Sequence, residues 1–496
     1  MHKYVSRIIL VFMVSGIAGT AAGQYITQLG LGNYGPVHSY HVNPSLNAYS
    51  SFKWQVNLAG LWANVNNNYL TLRLPYSAYR LPKNVPAQYL SESGNPLFDK
   101  NWLTENLNGR PKHVSIASDI YGPSASVKIK SWSVGFITKA SVGTRVSAMP
   151  ESLAHAFYKE LDSASGAYTR FVSYEQGGFN TINRFTVNGT SNISAGLNLS
   201  RSIDMQYNRK LLVGVTVKKV WGLQGFHLHN DGMAVRAVSQ DSLVFDPTRL
   251  LLVTYGDQVG KGWGTDIGVT YVFNKKDYKR HGEYSKNQTR YFCKLGFSVM
   301  DIGKIRYSNA RFDEVAITQP TGVNLDGYSH GVPNSGDYQD IADSFMQQFA
   351  SYRSYTGDFN VGLPTRMVAT ADFQVRKKIF VGGVITQSLR GRHSQHARYQ
   401  SFVMVSPRWE SRFFEFSLPV MLEYDYRAVR MGASARIGPL YVGTNSLASF
   451  LYTRGLRDAD IFVGIAFGNL SDFTFRKAAR NRKNKLINFR QACENF

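Results

Sequence analysis

Eight charged side chains stand where they could face one another or a passing ion. Arg73, Lys128, Lys130, Lys218, Arg430 and Arg436 alternate with apolar neighbours, and Asp372 and Glu415 lie in similar surroundings. In an extended chain successive side chains point to opposite faces, so these charges share the face opposite the apolar one. Two chemistries are open to them. They can pair across an enclosed space and fill it, or the cations can line a passage that favours anions.

Other candidate chemistry is sparse. His38 and His41 flank Ser39-Tyr40, but two ligands are too few for a zinc site. His227 and His229 have strand spacing, with no carboxylate or thiol cluster close by in sequence. The chain has no His-Glu-x-x-His, Gly-x-Ser-x-Gly, Walker lysine loop or Cys-x-x-Cys. Gly260-Lys261-Gly262-Trp263-Gly264 is glycine-rich, yet no Lys-Ser/Thr follows, and it reads as a turn. No enzyme activity, cofactor or metal is expected. Cys293 and Cys493 read as unpaired thiols, with a bridge that pins the tail as the alternative.

The elements that must position these residues are strands. Residues Leu211 to Val217, Ile267 to Phe273, Val429 to Ile437 and Ile461 to Phe467 all alternate strictly. So do Trp54 to Trp62, Leu70 to Tyr76, Ala125 to Ile129 and Trp132 to Phe136. A soluble sandwich would bury the apolar set, whereas a membrane barrel turns it to lipid. Three features favour the barrel. The polar set is rich in Gly, Ser, Thr and Arg. Trp54, Trp62, Tyr76, Trp132 and Phe273 sit at strand ends, as interfacial aromatics do. One closed ring also accommodates the length of 496 residues without several separate cores.

Export fits this reading. Lys3 and Arg7, the apolar run Ile8 to Val14 and Ala21-Ala22-Gly23 form a secretory signal over residues 1–23. No later run reaches the roughly 20 apolar residues of a membrane helix. The fold expected is all-β, a single transmembrane antiparallel barrel of about 14 strands. Residues 24–51 would form a plug-like segment, 52–473 the barrel with its long loops, and 474–496 a basic periplasmic tail. Short helices are expected over Pro150 to Leu161 and Asp337 to Phe349.

The formal charge of +23 points to an anionic partner. Export argues against nucleic acid and for outer-membrane lipid and lipopolysaccharide, with envelope proteins as possible further partners.

Three blocks carry a family resemblance. Asn43-Pro44-Ser45-Leu46-Asn47-Ala48 follows the signal, and Gly122-Pro123-Ser124 precedes a hairpin. Gly438-Pro439-Leu440-Tyr441-Val442-Gly443-Thr444-Asn445-Ser446-Leu447 leads to Asp460-Ile461-Phe462-Val463-Gly464. Together they resemble an uncharacterised family of Gram-negative outer-membrane proteins, related in architecture to the long-chain fatty-acid transporter barrels. The resemblance implies a plugged barrel in the outer membrane. The function expected from it is passage of small apolar or amphipathic molecules. The alternative is a scaffold or secretion-machine component anchored by its barrel.

Overall fold

A period-two pattern dictates strands, and exposure along them tells which solvent they meet. The computed structural model describes residues 27–76, 85–91, 97, 99–151, 154–155, 180–182, 184–206, 208–239, 242–274, 291–324, 346–423, 425–447 and 455–468. In the strand Asp458–Gly468, Ile461, Val463, Ile465 and Phe467 are exposed while Asp460, Gly464 and Gly468 are buried. In Phe402–Glu410, Val405 and Trp409 are 49% and 43% exposed, but Arg408 and Glu410 only 3% and 2%. A water-soluble barrel would reverse this order. Apolar side chains outward and charges inward are the pattern of a transmembrane barrel.

Nineteen hydrogen-bonded segments form one sheet. Ten of them join end to end into five interrupted strands, so the ring has fourteen. These are β1 (Trp54–Asn67), β2 (Lys112–Tyr121 with Ser124–Ile129), β3 (Trp132–Met149), β4 (Phe185–Met205) and β5 (Arg209–Asn230). Next come β6 (Thr248–Tyr255 with Gly260–Asn274), β7 (Tyr291–Ile317), β8 (Arg353–Gly362 with Arg366–Arg376), β9 (Ile379–Ser388) and β10 (Phe402–Glu410). The last four are β11 (Phe414–Ser417 with Val420–Glu423), β12 (Ala428–Met431 with Ala433–Ile437), β13 (Leu440–Thr444) and β14 (Asp458–Gly468). Each strand pairs antiparallel with the next, and β14 closes on β1 from Gln55↔Gly468 to Asn66↔Asp458. Closure removes the free edges that lipid cannot satisfy. Pro123, Pro364 and Pro419 each stand at one of the interruptions, where a missing N–H costs the ladder least.

One end of the barrel has connections of two or three residues: 130–131, 206–208, 377–378, 411–413 and 438–439, with 275–290 the long exception. The other end carries the long ones: 68–111, 150–184, 231–247, 318–352, 389–401 and 445–457, with 424–427 the short exception. In such barrels the short turns face the periplasm. A small sheet of Asn180–Ile182, Met233–Ser239, Ser242–Phe245 and Thr321–Asn324 is built from the long connections. Among the described residues no helix is long and apolar enough to cross a membrane.

Several expectations need correction. A bulge between Asn57 and Ala59 reverses the facing of β1, so Leu61 and Val65 meet lipid and Trp62 turns inward, fully buried. Trp62 is therefore no interfacial aromatic; its Nε1 donates to Asp460 Oδ2 at 2.7 Å. Leu70 to Tyr76 lies outside the ring, as a short strand paired with Leu103–Glu105 and a buried Tyr76 that packs on Tyr89 and Trp102. Gly260 to Gly264 is strand, not turn, and Gly260 leaves room for the Tyr307 ring, which a Cβ would meet at 2.6 Å. β5 and β7 are long strands, which run to Asn230 and Ile317. The signal, the tail from 474 and most of both expected helices lie outside the described residues, as does Cys493. Cys293 is a buried free thiol on β7.

Candidate functional site: the lumen and its plug

The barrel interior is occupied by the chain's own N-terminal segment. It carries α1 (Thr27–Leu31), α2 (Pro36–Ser39) and a 3-10 turn (Leu46–Tyr49). Every residue from 27 to 48 is buried except the half-buried Gly32 and His41. Pro36 opens α2 at the position where its missing N–H matters least. The rest of the segment is held by side chains from the wall.

The central clamp is Asn43-Pro44-Ser45. Asn43 Nδ2 donates to Val269 O and Thr270 Oγ1, both at 3.2 Å, and to Phe297 O at 3.3 Å. Asn43 Oδ1 accepts from Ser45 N and Oγ at 3.0 and 2.7 Å, which folds the turn back on itself. Asn198 Nδ2 donates to Pro44 O at 3.3 Å. The wall here is glycine: a Cβ on Gly214 would lie 2.5 Å from the Pro44 carbonyl carbon, and one on Gly268 would collide with the Asn43 side chain. The close approach needs both glycines.

Toward the short-turn end lies a charge network. Arg408 donates through Nη2 to Asp372 Oδ2 at 2.9 Å and through Nε to Glu410 Oε2 at 2.8 Å. Lys294 Nζ sits 3.1 Å from Asp372 Oδ2. The plug enters this network through Asn33, whose N–H donates to Glu410 Oε1 at 2.8 Å and whose Oδ1 accepts from Lys294 at 3.2 Å. Beside it Arg436 Nε pairs with Glu415 Oε2 at 3.3 Å. Such pairs are closed by geometry; their Coulomb gain mostly offsets desolvation.

Toward the long-loop end, Lys218 pairs with Asp266 at 2.8 Å and with Asp301, which also binds Arg366. Arg366 Nη2 donates to the plug at His41 O, 3.2 Å, and its guanidinium lies 4.2 Å from the Tyr399 ring centroid. These groups, with Tyr40, His41, Lys139, Ile137, Met300 and Leu363, wall a cavity of about 50 Å³ directly against the plug. Beyond it the inward surface turns apolar. Val220, Tyr255, Ile305, Tyr307, Phe359, Val361 and Leu363 form one buried layer, and Phe185, Phe245, Val315, Ile317, Met346 and Phe349 form the next.

Of the eight charges picked out by alternation, five are buried in this interior: Lys218, Asp372, Glu415, Arg430 and Arg436. Arg430 pairs with Glu423 at 3.1 Å and Asp458 at 2.5 Å. Lys128 is half-buried and donates to the plug at Ser50 O, 3.4 Å. Arg73 and Lys130 do not line the lumen. Arg73 is exposed beyond the short strand Leu70–Leu72, outside the ring, and Lys130 is exposed in the turn after β2 at φ 55. Alternation failed for both because it does not report where a strand joins the sheet or ends. It also missed Asp266, Lys294, Asp301, Arg366, Arg408 and Glu410. Arg408 and Glu410 alternate with Val405, Pro407 and Trp409, a signal that was there to be read.

The two plug histidines pack against different aromatic rings. His38 packs edge-on against Tyr441 at 4.6 Å, and His41 lies tilted against Tyr121 at 4.9 Å. Among the described residues no three His, Cys, Asp or Glu side chains gather as metal ligands. Burial, helped by Arg436, lowers the His38 pKa to about 3. Burial holds His41 well below its ordinary value, with Lys139, His38, Lys218 and Arg366 adding to it. Both are neutral in place. Undocked into water, each would titrate near 6.5, so below that pH the undocked state takes up a proton that the docked state refuses. At pH 5 His38 alone weakens docking by about 2 kcal/mol. We expect protease access to residues 27–51 to rise as pH falls from 7 to 5, and the rise to be smaller in His38→Gln, where His41 alone still titrates.

No curated protein matches the sequence. Among solved structures the chain is similar to the Pseudomonas putida toluene transporter TodX, at 9% identity over 91% of this chain and 96% of that one, with a TM-score of 0.41. It is also similar to a Pseudomonas aeruginosa FadL homologue, at 11% identity over 86% and 91%, TM-score 0.36. The Ralstonia pickettii toluene transporter TbuX gives 8% identity over 87% and 92%, TM-score 0.36. Residues 44–445, from the proline of the plug clamp to Asn445 beyond β13, match the family of unknown function DUF5723, and the chain belongs to that family.

Proposed function

We propose that this outer-membrane barrel passes small apolar or amphipathic molecules, through a lumen that its N-terminal segment closes. The observation that supports this reading is the change in lining along the lumen. The long-loop half presents two apolar layers, and Val220 and Leu363 belong both to the inner layer and to the cavity wall at Tyr40 and His41. A channel for water and ions has a polar interior, whereas this half offers aromatic and aliphatic surface that ends on the plug.

A cavity of about 50 Å³ holds a few waters, at ~10–15 Å³ each. That is too little for any cargo, so this is a closed state, and passage needs residues 27–51 to shift. Two kinds of contact hold them: hydrogen bonds to wall side chains, which exchange for water at modest net cost, and the packing of Leu29, Leu31, Val37, Tyr40 and Val42 against the wall, which a shift must break.

A specific observation favours a second reading. The short-turn half is filled and charge-paired around Asp372, Arg408 and Glu410. A barrel that serves only as an anchor for envelope partners would have such a lumen throughout. The test is uptake of an apolar fluorescent dye by cells with and without the protein. We expect at least a severalfold faster uptake with it. Equal uptake would overturn the transport reading in favour of the anchor.

A further inference from the structure

The barrel exterior carries a site that the lumen does not use. On β5, β6 and β7, Lys219, Lys261, Lys304 and Arg306 all point outward, on the same alternation as Val215, Ile267 and Ile302. The ladder makes them neighbours: Trp263 stands opposite Lys219 on one side and Lys304 on the other, and Lys261 stands opposite Arg306. Lys219 lies 4.7 Å from the centroid of the Trp263 ring, which is 61% exposed. Arg306 pairs with Asp358 at 2.5 Å, but among the described residues Lys261 and Lys304 have no ion-pair partner. At the same level on the adjoining β4 and β3 the outward residues are Ala195, Ile193 and Thr138. The cations are therefore a cluster, not a girdle.

Height locates the cluster in the membrane. Lys219 is ten residues along β5 from Arg209 at the short-turn rim. At ~3.3 Å per residue and a tilt near 40° that is about 25 Å of height, the thickness of the apolar band. The cluster thus sits at the interface on the long-loop side, level with the head groups of the outer leaflet. Directly below it the wall is concave. A groove of about 610 Å³ runs from Ile302 and Ile267 past Val215, Val213 and Leu199 toward Trp132 and Arg201. Its floor includes Gly214 and Gly268, the two glycines against which the plug presses from inside. An apolar trough under a set of unpaired cations complements one kind of molecule, a lipid with several acyl chains and phosphates on its head group.

We propose that this face binds one molecule of phosphorylated outer-leaflet glycolipid, its phosphates on Lys219, Lys261 and Lys304 and an acyl chain along the groove. A phosphate near two or three ammonium groups forms charge-assisted hydrogen bonds that are stronger than neutral ones, and the groove adds only what closer packing of the chain gains over its packing in bulk lipid. The cations supply specificity and the groove supplies fit. The proposal stands apart from the transport reading, since it needs only the barrel and its orientation.

The test uses the full-length protein purified in detergent and native mass spectrometry with added lipopolysaccharide of known phosphorylation. The wild type should retain one molecule. The surface triple variant Lys219→Gln, Lys261→Gln, Lys304→Gln should bind at least tenfold more weakly, as should the wild type offered the dephosphorylated lipid. Filling the groove with Val215→Trp and Ile267→Trp should lower binding severalfold with the cations intact. Lys377→Gln with Lys378→Gln, at the opposite rim, should bind as wild type does. Equal retention by the triple variant, equal binding of the dephosphorylated lipid, or equal competition by phosphatidylglycerol would each overturn the proposal. A loss of dye uptake would bear on the lumen alone and leave this result unchanged.

Discussion

Arg408→Ala should cost the folded barrel about 3–5 kcal/mol, read from urea unfolding in lipid vesicles. Arg408 is 3% exposed and is the ion-pair partner of Glu410 and one of two cations at Asp372. Its loss leaves Asp372 with Lys294, but among the described residues leaves Glu410 with the N–H groups of Asn33 alone. A buried carboxylate without its cation is the expensive outcome, because the desolvation cost stays while the attraction goes. Arg408→Met should be nearly as harmful, since it restores volume but not charge. Adding Glu410→Gln to Arg408→Met should recover most of the loss, because Asp372 keeps Lys294 and the carboxylate that lost its cation is neutralised. Arg376→Ala, exposed at the end of β8, should stay within about 0.5 kcal/mol of wild type. The plug should respond too, because Glu410 holds Asn33. If Arg408→Ala unfolds with the wild type, water screens this network and the lumen is not dry there.

That network shows what the sequence makes legible and what it hides. The ring was readable because lipid imposes one rule on every strand: apolar out, polar in. Val429, Met431 and Ile437 are exposed and Arg430 and Arg436 buried, as their alternation requires. The strand number followed from counting such runs. Facing was lost wherever the backbone departs from period two. One extra residue near Asn57 sends Trp62 inward, and nothing in the types of Trp54 to Trp62 announces the bulge. Partners were hidden for a different reason. Arg408 meets Asp372 across 36 positions, and Asn33 meets Glu410 across 377, distances that only the closed ring brings to contact. The sequence offered residues 24–51 as a plug-like segment, yet the clamp on Asn43 and Pro44 depends on glycines at 214 and 268 that read, in sequence, as ordinary small residues of a lumen lining.

Those glycines carry the other large prediction. Gly214→Val together with Gly268→Val should turn a silent barrel into one with resolvable conductance steps in a planar bilayer. Valine suits a strand, so the wall keeps its register. Inside, however, each new side chain occupies space that the plug already fills. At Gly214 the obstacles are the carbonyl carbon and oxygen of Pro44 at 2.5 Å and the nitrogen of Ser45 at 2.6 Å, all backbone atoms that no rotamer change can move. At Gly268 the Asn43 side chain and Pro44 ring are displaced, which also breaks the bonds to Val269 O, Thr270 and Phe297 O. The segment must lift from the wall, and residues 27–51 should become open to protease at neutral pH. Gly383→Val is the control. A Cβ there meets nothing nearer than 3.8 Å, so that barrel should stay closed. Steps in the double variant but not in the control would identify residues 27–51 as the element that closes the lumen. Silence in both, with the segment cut free by protease, would mean that the paired charges around Arg408 and Arg366 block the lumen without it, and the barrel would then be read as an anchor.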